Sequence, residues 1–111
     1  MGSSFHSASE GYAYRQLKNH VSEEAARGKK KFNTHLIINE EGQIISTYRK
    51  IHLFDVDLTS KGGILFSESH SIEKGNKIAD PVYSPCGYLG LSISFDLRFP
   101  EMYRELVLKG A

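Results

Sequence analysis

Hydrophobic and polar positions divide the 111-residue chain into a helix-like stretch followed by strands. Between residues 10 and 26, apolar side chains recur at the spacing of one helical face, which predicts a short, partly exposed helix. The side chains on that face are Tyr14, Leu17 and Val21. Gly28 is placed to end this helix. We interpret the three lysines at 29–31 as a solvated linker rather than a phosphate- or lipid-binding cluster, since so few charges are grouped.

From residue 32 onward the pattern becomes that of β-structure. Two runs rich in apolar and β-branched residues, 32–38 and 43–49, are joined by a short turn that contains Gly42. This arrangement predicts a hairpin. A loop with two adjacent glycines follows at 59–63, and residues 64–68 predict a brief extended piece.

The last third of the chain has the clearest pattern. Residues 82–84 and 88–95 predict a second hairpin around Pro85, and apolar residues alternate along its second run as in a strand with one buried face. The alternating residues are Leu89, Leu91, Ile93 and Phe95. Pro100 suits the first turn of a helix, and apolar residues at helical spacing extend to Gly110, which suits its end. These elements indicate an α/β (α+β) fold.

Composition and charge exclude several classes of protein. The chain is 40% hydrophobic, and 14 Lys and Arg balance 13 Asp and Glu, so we expect neither a disordered chain nor a nucleic-acid-binding protein. No apolar run approaches the length of a membrane span, so we expect no membrane partner. A single cysteine and the lack of a signal-peptide pattern indicate a cytoplasmic protein, with mitochondria kept open as the location of a longer parent protein.

Two short motifs carry candidate chemistry. The first, YRKIH at 48–52, places Lys50 at the end of a strand. The second, SFDLRFPE at 94–101, places Ser94 between a buried strand and a helix, where backbone N–H groups can stabilise an oxyanion. By spacing alone, each also fits a structural interpretation, with a solvated lysine and a small residue in a tight turn. The histidines lack metal-ligand spacing and no glycine-rich phosphate loop is present, so no metal or cofactor is predicted.

Taken together and in order, several motifs resemble the nitrilase, or carbon–nitrogen hydrolase, superfamily. They are Asn33-Thr34-His35, YRKIHLFDVD at 48–57, Glu68-Ser69 and GLSISFDLRFPE at 90–101. Within the superfamily they look most like the deaminated glutathione amidases, with the omega-amidases next. The resemblance implies a partial αββα nitrilase-like sandwich, in which residues 1–111 form an interior fragment of a single domain. It also implies homo-oligomers that pair through helices.

The resemblance further implies hydrolysis of a small omega-amide to an acid and ammonia, without metal or organic cofactor. Family members use a glutamate base, a lysine, a cysteine nucleophile and often a second glutamate. Matched by position, the lysine is Lys50, the second glutamate is Glu68, and the N–H of Phe95 is the oxyanion donor after the nucleophile. Asp96 and Arg98 match positions expected to support this turn through buried charged hydrogen bonds.

Two departures from the family pattern bear on activity. The nucleophile position holds Ser94 instead of cysteine, and a hydroxyl is a poor nucleophile without an adjacent base. We also expect the first glutamate, and the strands after Ala111, to belong to parts of the domain outside these residues. The alternatives are therefore an impaired amidase, a catalytically inactive binding protein, or a truncated gene product. We expect Cys86, eight residues before Ser94, to be an ordinary exposed thiol and His52 to be structural.

Overall fold

The structure is a computed structural model that describes the backbone of residues 5–7 and 12–20 and all atoms of residues 30–111. Its strands, in chain order, are β1 (Phe5–Ser7), β2 (Tyr12–His20), β3 (Lys31–Ile38), β4 (Ile44–Arg49), β5 (Asp55–Asp57), β6 (Leu65–Ser67), β7 (Ile72–Glu73), β8 (Val82–Ser84) and β9 (Gly87–Leu89). Among the described residues, helix α1 (Pro100–Leu108) follows the strands, and single 3-10 turns cover Thr59–Lys61, Glu68–His70 and Ser94–Arg98. The described residues therefore combine mixed sheets with a helix, as the α/β prediction requires.

The largest sheet has the strand order β1-β2-β3-β4, with all neighbours antiparallel, and β7 pairs in parallel with the start of β3. Its β3–β4 hairpin confirms the prediction made from the two apolar runs. In the connecting turn, Asn39 Oδ1 accepts hydrogen bonds from the N–H groups of Glu41 and Gln43, and Gly42 adopts a φ of +80°. A side-chain-stabilised turn of this kind fixes the register of the strands that lead to Lys50.

The helix predicted between residues 10 and 26 is wrong over residues 12–20, which form β2, and the rest of that prediction lies outside the described residues. Backbone partners run from Ala13 opposite Ile38 to His20 opposite Phe32, so the ladder extends along most of β3. Three apolar residues provide only a thin helical stripe, and pairing with an open strand edge satisfies the same backbone groups. The predicted helix end at Gly28 lies outside the described residues.

Two small hairpins, β5–β6 and β8–β9, complete the strands. The extended piece predicted for residues 64–68 is confirmed as β6, whereas the strand predicted for 88–95 is shorter and ends at Leu89. Leu91 and Ile93 nevertheless lie in the core, as their alternation predicts. Phe95 leaves the alternation because the chain turns at Ser94.

Helix α1 covers the core that the sheet and residues 91–93 enclose. Its inward side chains, Met102 and Leu106, pack in one buried cluster with Ile37, Tyr48, Ala79, Leu91 and Ile93. Pro100 occupies the first turn, and Gly110 ends the helix with a φ of +109°, as predicted. There the N–H groups of Gly110 and Ala111 donate to the carbonyls of Val107 and Leu106, which caps the helix. Among the described residues, no helix has the length and apolar character needed to cross a bilayer.

Candidate active site

Lys50 lies where β4 ends, and backbone hydrogen bonds fix it from two directions. Its N–H donates to the carbonyl of Asn33 on β3 (2.8 Å), and its carbonyl accepts from the N–H of Gly75 (2.9 Å). The side chain is only 3% exposed, and Nζ lies 2.6 Å from Glu68 Oε1. The structure thus holds the predicted lysine by backbone hydrogen bonds and buries its side chain.

Glu68 reaches Lys50 because the chain between them folds back as a hairpin. The residue before β5, Phe54, and the residue after β6, Glu68, exchange two hydrogen bonds: Glu68 N–H donates to the Phe54 carbonyl (3.1 Å), and Phe54 N–H donates to Glu68 Oε1 (2.7 Å). The carboxylate oxygen therefore accepts from both an amide and an ammonium. Two residues that are 18 positions apart in the sequence are brought together in this way.

The turn that carries Ser94, which we call the elbow (residues 93–96), is closed by reciprocal hydrogen bonds. The N–H of Asp96 donates to the Ile93 carbonyl (3.0 Å), and the N–H of Ile93 donates to Asp96 Oδ2 (2.8 Å). Ser94 at its tip is exposed and has a φ of +47°, a conformation that costs a residue with a Cβ about 1–2 kcal/mol. Such strain is typical of functional turns between a strand and a helix.

Asp96 is the centre of a buried hydrogen-bond network. Its carboxylate is fully buried and accepts from Tyr48 Oη (2.6 Å), His52 Nδ1 (2.7 Å) and the His52 N–H (3.1 Å), besides the Ile93 amide. Burial, together with the hydrogen bond to Asp96, raises the pKa of Tyr48, so its hydroxyl keeps the proton that it donates. The buried charged hydrogen bonds predicted for Asp96 are present, and they join the elbow to β4 and the residues after it.

Arg98 differs from Asp96, although the same role was predicted for both. Its side chain is exposed, and among residues 30–111 it forms no hydrogen bond or ion pair. The reason is the 3-10 geometry: Arg98 is the last residue of the turn, whereas Asp96 faces back into the core. Buried support of the elbow by Arg98 is therefore not found in the described part of the chain.

A row of aromatic rings connects the elbow to the Lys50–Glu68 pair. The half-buried ring of Phe95 packs edge-on against Phe54, with 5.0 Å between ring centroids, and also against Phe99 at 5.5 Å. Phe99 in turn stacks on His52 at 3.7 Å. Because the amide of Phe54 binds Glu68, the residue after Ser94 contacts the residue that anchors the carboxylate. The elbow and the ion pair thus adjoin the same aromatic cluster.

Two further candidate residues, His52 and Cys86, lie where a structural role was expected for the first and an ordinary exposed thiol for the second. His52 is held by Asp96 and Phe99, in keeping with its expected structural role, and Cys86 is exposed in the β8–β9 turn, as predicted. The described residues hold no group of histidine, cysteine, aspartate or glutamate side chains arranged to bind a metal ion.

Sequence reasoning missed two residues of the site, Tyr48 and Gly75. Tyr48 Oη bonds both Asp96 and the amide of Ile51, and a Cβ at Gly75 would overlap the carbonyl oxygen of Arg49. Tyr48 is part of the YRK motif but offers no signal of its own, and the sequence around Gly75 does not distinguish it from an ordinary turn glycine. Asp96 is distant in the sequence from Tyr48, and Arg49 is distant from Gly75, so only the folded chain reveals these contacts.

Comparisons with known proteins show the family to which the chain belongs. The sequence model of the family described as "Carbon-nitrogen hydrolase" matches residues 16–111. A deaminated glutathione amidase of Dictyostelium discoideum is 53% identical over 75 residues, which cover 68% of this chain and 25% of that protein. Omega-amidase NIT3 of Saccharomyces cerevisiae is 42% identical over 80 residues, or 72% of this chain and 26% of that protein.

Among solved structures, that of the Caenorhabditis elegans NitFhit protein superposes with a TM-score of 0.74 and 36% identity, covering 88% of this chain and 23% of that one. The fold is therefore part of the nitrilase fold. The chain spans about a quarter of the length of the relatives it matches. By its sequence and its fold, the chain belongs to the carbon–nitrogen hydrolase family.

Proposed function

We propose that Lys50 and Glu68, beside the elbow, form the lysine and second-glutamate part of an amidase site. This site hydrolyses a small omega-amide, of the deaminated-glutathione kind, to an acid and ammonia. The observation that carries the proposal is the buried ammonium of Lys50, held by Glu68 beside the aromatic cluster of the elbow. The names of the relatives, deaminated glutathione amidase and omega-amidase, support the choice of substrate class.

Each side chain then has a distinct role. A buried ammonium stabilises the negative charge that develops on a carbonyl oxygen under attack, and more strongly than an exposed one, because water does not screen it. Glu68 orients Lys50 through the 2.6 Å contact. The Phe95 N–H is the second oxyanion donor. Ser94 Oγ attacks the amide carbon and its proton passes to the amide nitrogen, so that ammonia leaves as the C–N bond breaks. Water then cleaves the resulting ester, which releases the acid and restores the hydroxyl.

A second candidate function is binding of the same ligand without turnover. The observation that favours it is Ser94 itself, whose hydroxyl accepts or donates no hydrogen bond among residues 30–111 and so lacks a base there. An unactivated hydroxyl holds a substrate but rarely attacks it. In this case the chain would be an inactive relative that acts as a binding protein.

Ammonia release from 2-oxoglutaramate separates the two functions. We expect slow release by the unaltered chain, faster release by Ser94→Cys, and none by Lys50→Ala. The matched control is Lys61→Ala, which removes an exposed lysine from the loop between β5 and β6 and should leave release unchanged. If neither the chain nor Ser94→Cys releases ammonia while calorimetry detects bound 2-oxoglutaramate, the hydrolase proposal is wrong and the binding function is supported.

We further propose that copies of the chain pair through α1 and that the protein is cytoplasmic. Val107 and Leu108, near the end of α1, are 65% and 70% exposed, and an apolar patch at this site is suited to a helix of a second copy. The exposed thiol of Cys86 supports a reducing compartment, where unpaired surface cysteines persist.

A further inference from the structure

We propose that Tyr48 is a positioning residue that holds the Lys50 end of β4 at a fixed distance from the elbow. The inference rests on the proposed function, because it assigns Tyr48 to the same site. Its hydroxyl donates to Asp96 Oδ2 at 2.6 Å and accepts from the N–H of Ile51 at 3.0 Å. One oxygen atom therefore bonds the residue next to Lys50 and the residue that closes the elbow.

These bonds form a continuous path between the two halves of the site. It runs from the Ile51 amide through Tyr48 Oη and the Asp96 carboxylate to the Ile93 amide, with donor–acceptor distances between 2.6 and 3.0 Å. Ile51 adjoins Lys50 and Ile93 adjoins Ser94. The path thus couples the backbone beside the ammonium to the backbone beside the nucleophile position.

Only a hydroxyl satisfies both ends of the tyrosine link, because it donates one hydrogen bond and accepts another. The Tyr48 ring is 1% exposed and packs in the core with Ile37 and Met102. Phenylalanine would preserve that packing and remove both hydrogen bonds. Tyr48→Phe therefore separates positioning from core packing within one residue.

The thiol of Ser94→Cys provides a reporter that does not depend on turnover. In a Cys86→Ser background it is the single thiol, and its pKa is measured from the rate of alkylation by iodoacetamide against pH. The same measurement in urea gives the unfolded reference. A nearby ammonium stabilises a thiolate, so we expect the folded thiol to titrate about one unit below the urea value, and Lys50→Met to abolish the difference.

Tyr48→Phe should raise the folded thiol pKa by about half a unit while Lys50 is present, because the ammonium is then held less closely. In the Lys50→Met background it should change nothing, since no ammonium remains to be positioned. The matched control is Tyr103→Phe. It removes a hydroxyl that donates to Ser92 Oγ at 2.8 Å and takes no part in the path from Ile51 to Ile93, and it should leave the thiol pKa unchanged.

The outcomes distinguish the inference from the proposed function. If Lys50→Met leaves the thiol pKa unchanged, the proposed function is overturned and the inference with it. A thiol that responds to Lys50→Met but not to Tyr48→Phe overturns the inference alone. The inference alone is also overturned if Tyr48→Phe changes the thiol pKa equally with Lys50 present and in the Lys50→Met background. The same holds if Tyr103→Phe changes the thiol pKa as much as Tyr48→Phe does.

If the Ser94→Cys thiol of the Tyr48→Phe variant is alkylated at the same rates in buffer and in urea, that variant has unfolded. Hydrogen exchange of the unsubstituted chain then tests the inference instead. A path that acts as one unit should protect the amides of Ile51 and Ile93 to the same extent, so that they exchange at a common rate. Exchange at clearly different rates would overturn the inference.

Discussion

Lys50 Nζ and Glu68 Oε1 lie 2.6 Å apart, with the lysine almost completely buried and the glutamate 19% exposed. Breaking a buried ion pair leaves an uncompensated charge. We therefore expect Glu68→Ala to lower the free energy of unfolding by about 3 kcal/mol, near the lower end of values for such pairs because the carboxylate is partly solvated. Glu68→Gln should cost less, because an amide oxygen still accepts from the Phe54 N–H. Urea denaturation measures both.

Lys50→Met is the matched control for this prediction. It leaves behind the partly exposed carboxylate and fills the buried site with an apolar side chain, so its effect on stability should be smaller than that of Glu68→Ala. A Glu68→Ala chain as stable as the unaltered one would show that Lys50 does not depend on this carboxylate.

Gly75→Ala should disturb the site without touching a charged group. A Cβ at this position would overlap the carbonyl oxygen of Arg49, and the N–H of Gly75 bonds the carbonyl of Lys50. Backbone atoms cannot rotate away as side chains do, so we expect a loss of about 3 kcal/mol in the free energy of unfolding. The control is Gly42→Asn, in open space at a φ that asparagine tolerates, which should change stability little. Equal effects would refute the steric argument.

The sequence predicted the elements whose signals are local. The β3–β4 hairpin follows from two apolar runs and a turn with Gly42, and α1 follows from Pro100 at its start and Gly110 at its end. The choice of Lys50 and Glu68 as site residues came from a family resemblance, and their contact was not predicted because they lie 18 positions apart on either side of a hairpin.

What sequence reasoning could not supply are contacts that depend on distant partners. Strand β2 exists because β3 offers an edge for pairing, and no pattern within residues 12–20 distinguishes that from a thin helical stripe. Tyr48 and Asp96 are 48 positions apart. Glycine is needed at position 75 only because a Cβ there would overlap the carbonyl oxygen of Arg49. Arg98 received the same role as Asp96 because a motif does not show which side chain faces inward.

Ser94 should limit stability because its φ of +47° strains any residue that has a Cβ. We expect Ser94→Gly to be at least as stable as the unaltered chain. Ser94→Val should lose about 1–2 kcal/mol, since a β-branched side chain tolerates this conformation least. Thermal denaturation ranks the three proteins, and a Val variant as stable as the Gly variant would show that the elbow is unstrained in solution.

Self-association through α1 should depend on Val107 and Leu108, which point away from the core. Replacing both with glutamate adds two like charges to a proposed apolar contact, so sedimentation velocity should show a lower mass at the same concentration. Leu65→Glu on β6 is the control, because it removes an equally exposed apolar residue from another surface. If only Leu65→Glu lowers the mass, copies associate through the β5–β6 hairpin instead.

Stability should fall as the pH drops from about 7 toward 5, because of His35. Burial lowers the pKa of His35, although donation from Nδ1 to the Ser92 carbonyl (3.1 Å) partly opposes this. In the unfolded chain histidine titrates near pH 6.5, so both states are neutral above that pH and the full stability is present. Below it the unfolded chain takes up the proton first, and the free energy of unfolding decreases until the pH passes the lowered folded pKa.

The measurement compares urea denaturation at pH 7.5 and pH 5.5 for three proteins. His35→Gln removes this titration and should reduce the difference between the two pH values. The control, His70→Gln, replaces an exposed histidine and should retain the difference. Because acidic groups titrate mainly below pH 5, they contribute little to this window. If His35→Gln keeps the full pH dependence, a histidine other than His35 is responsible.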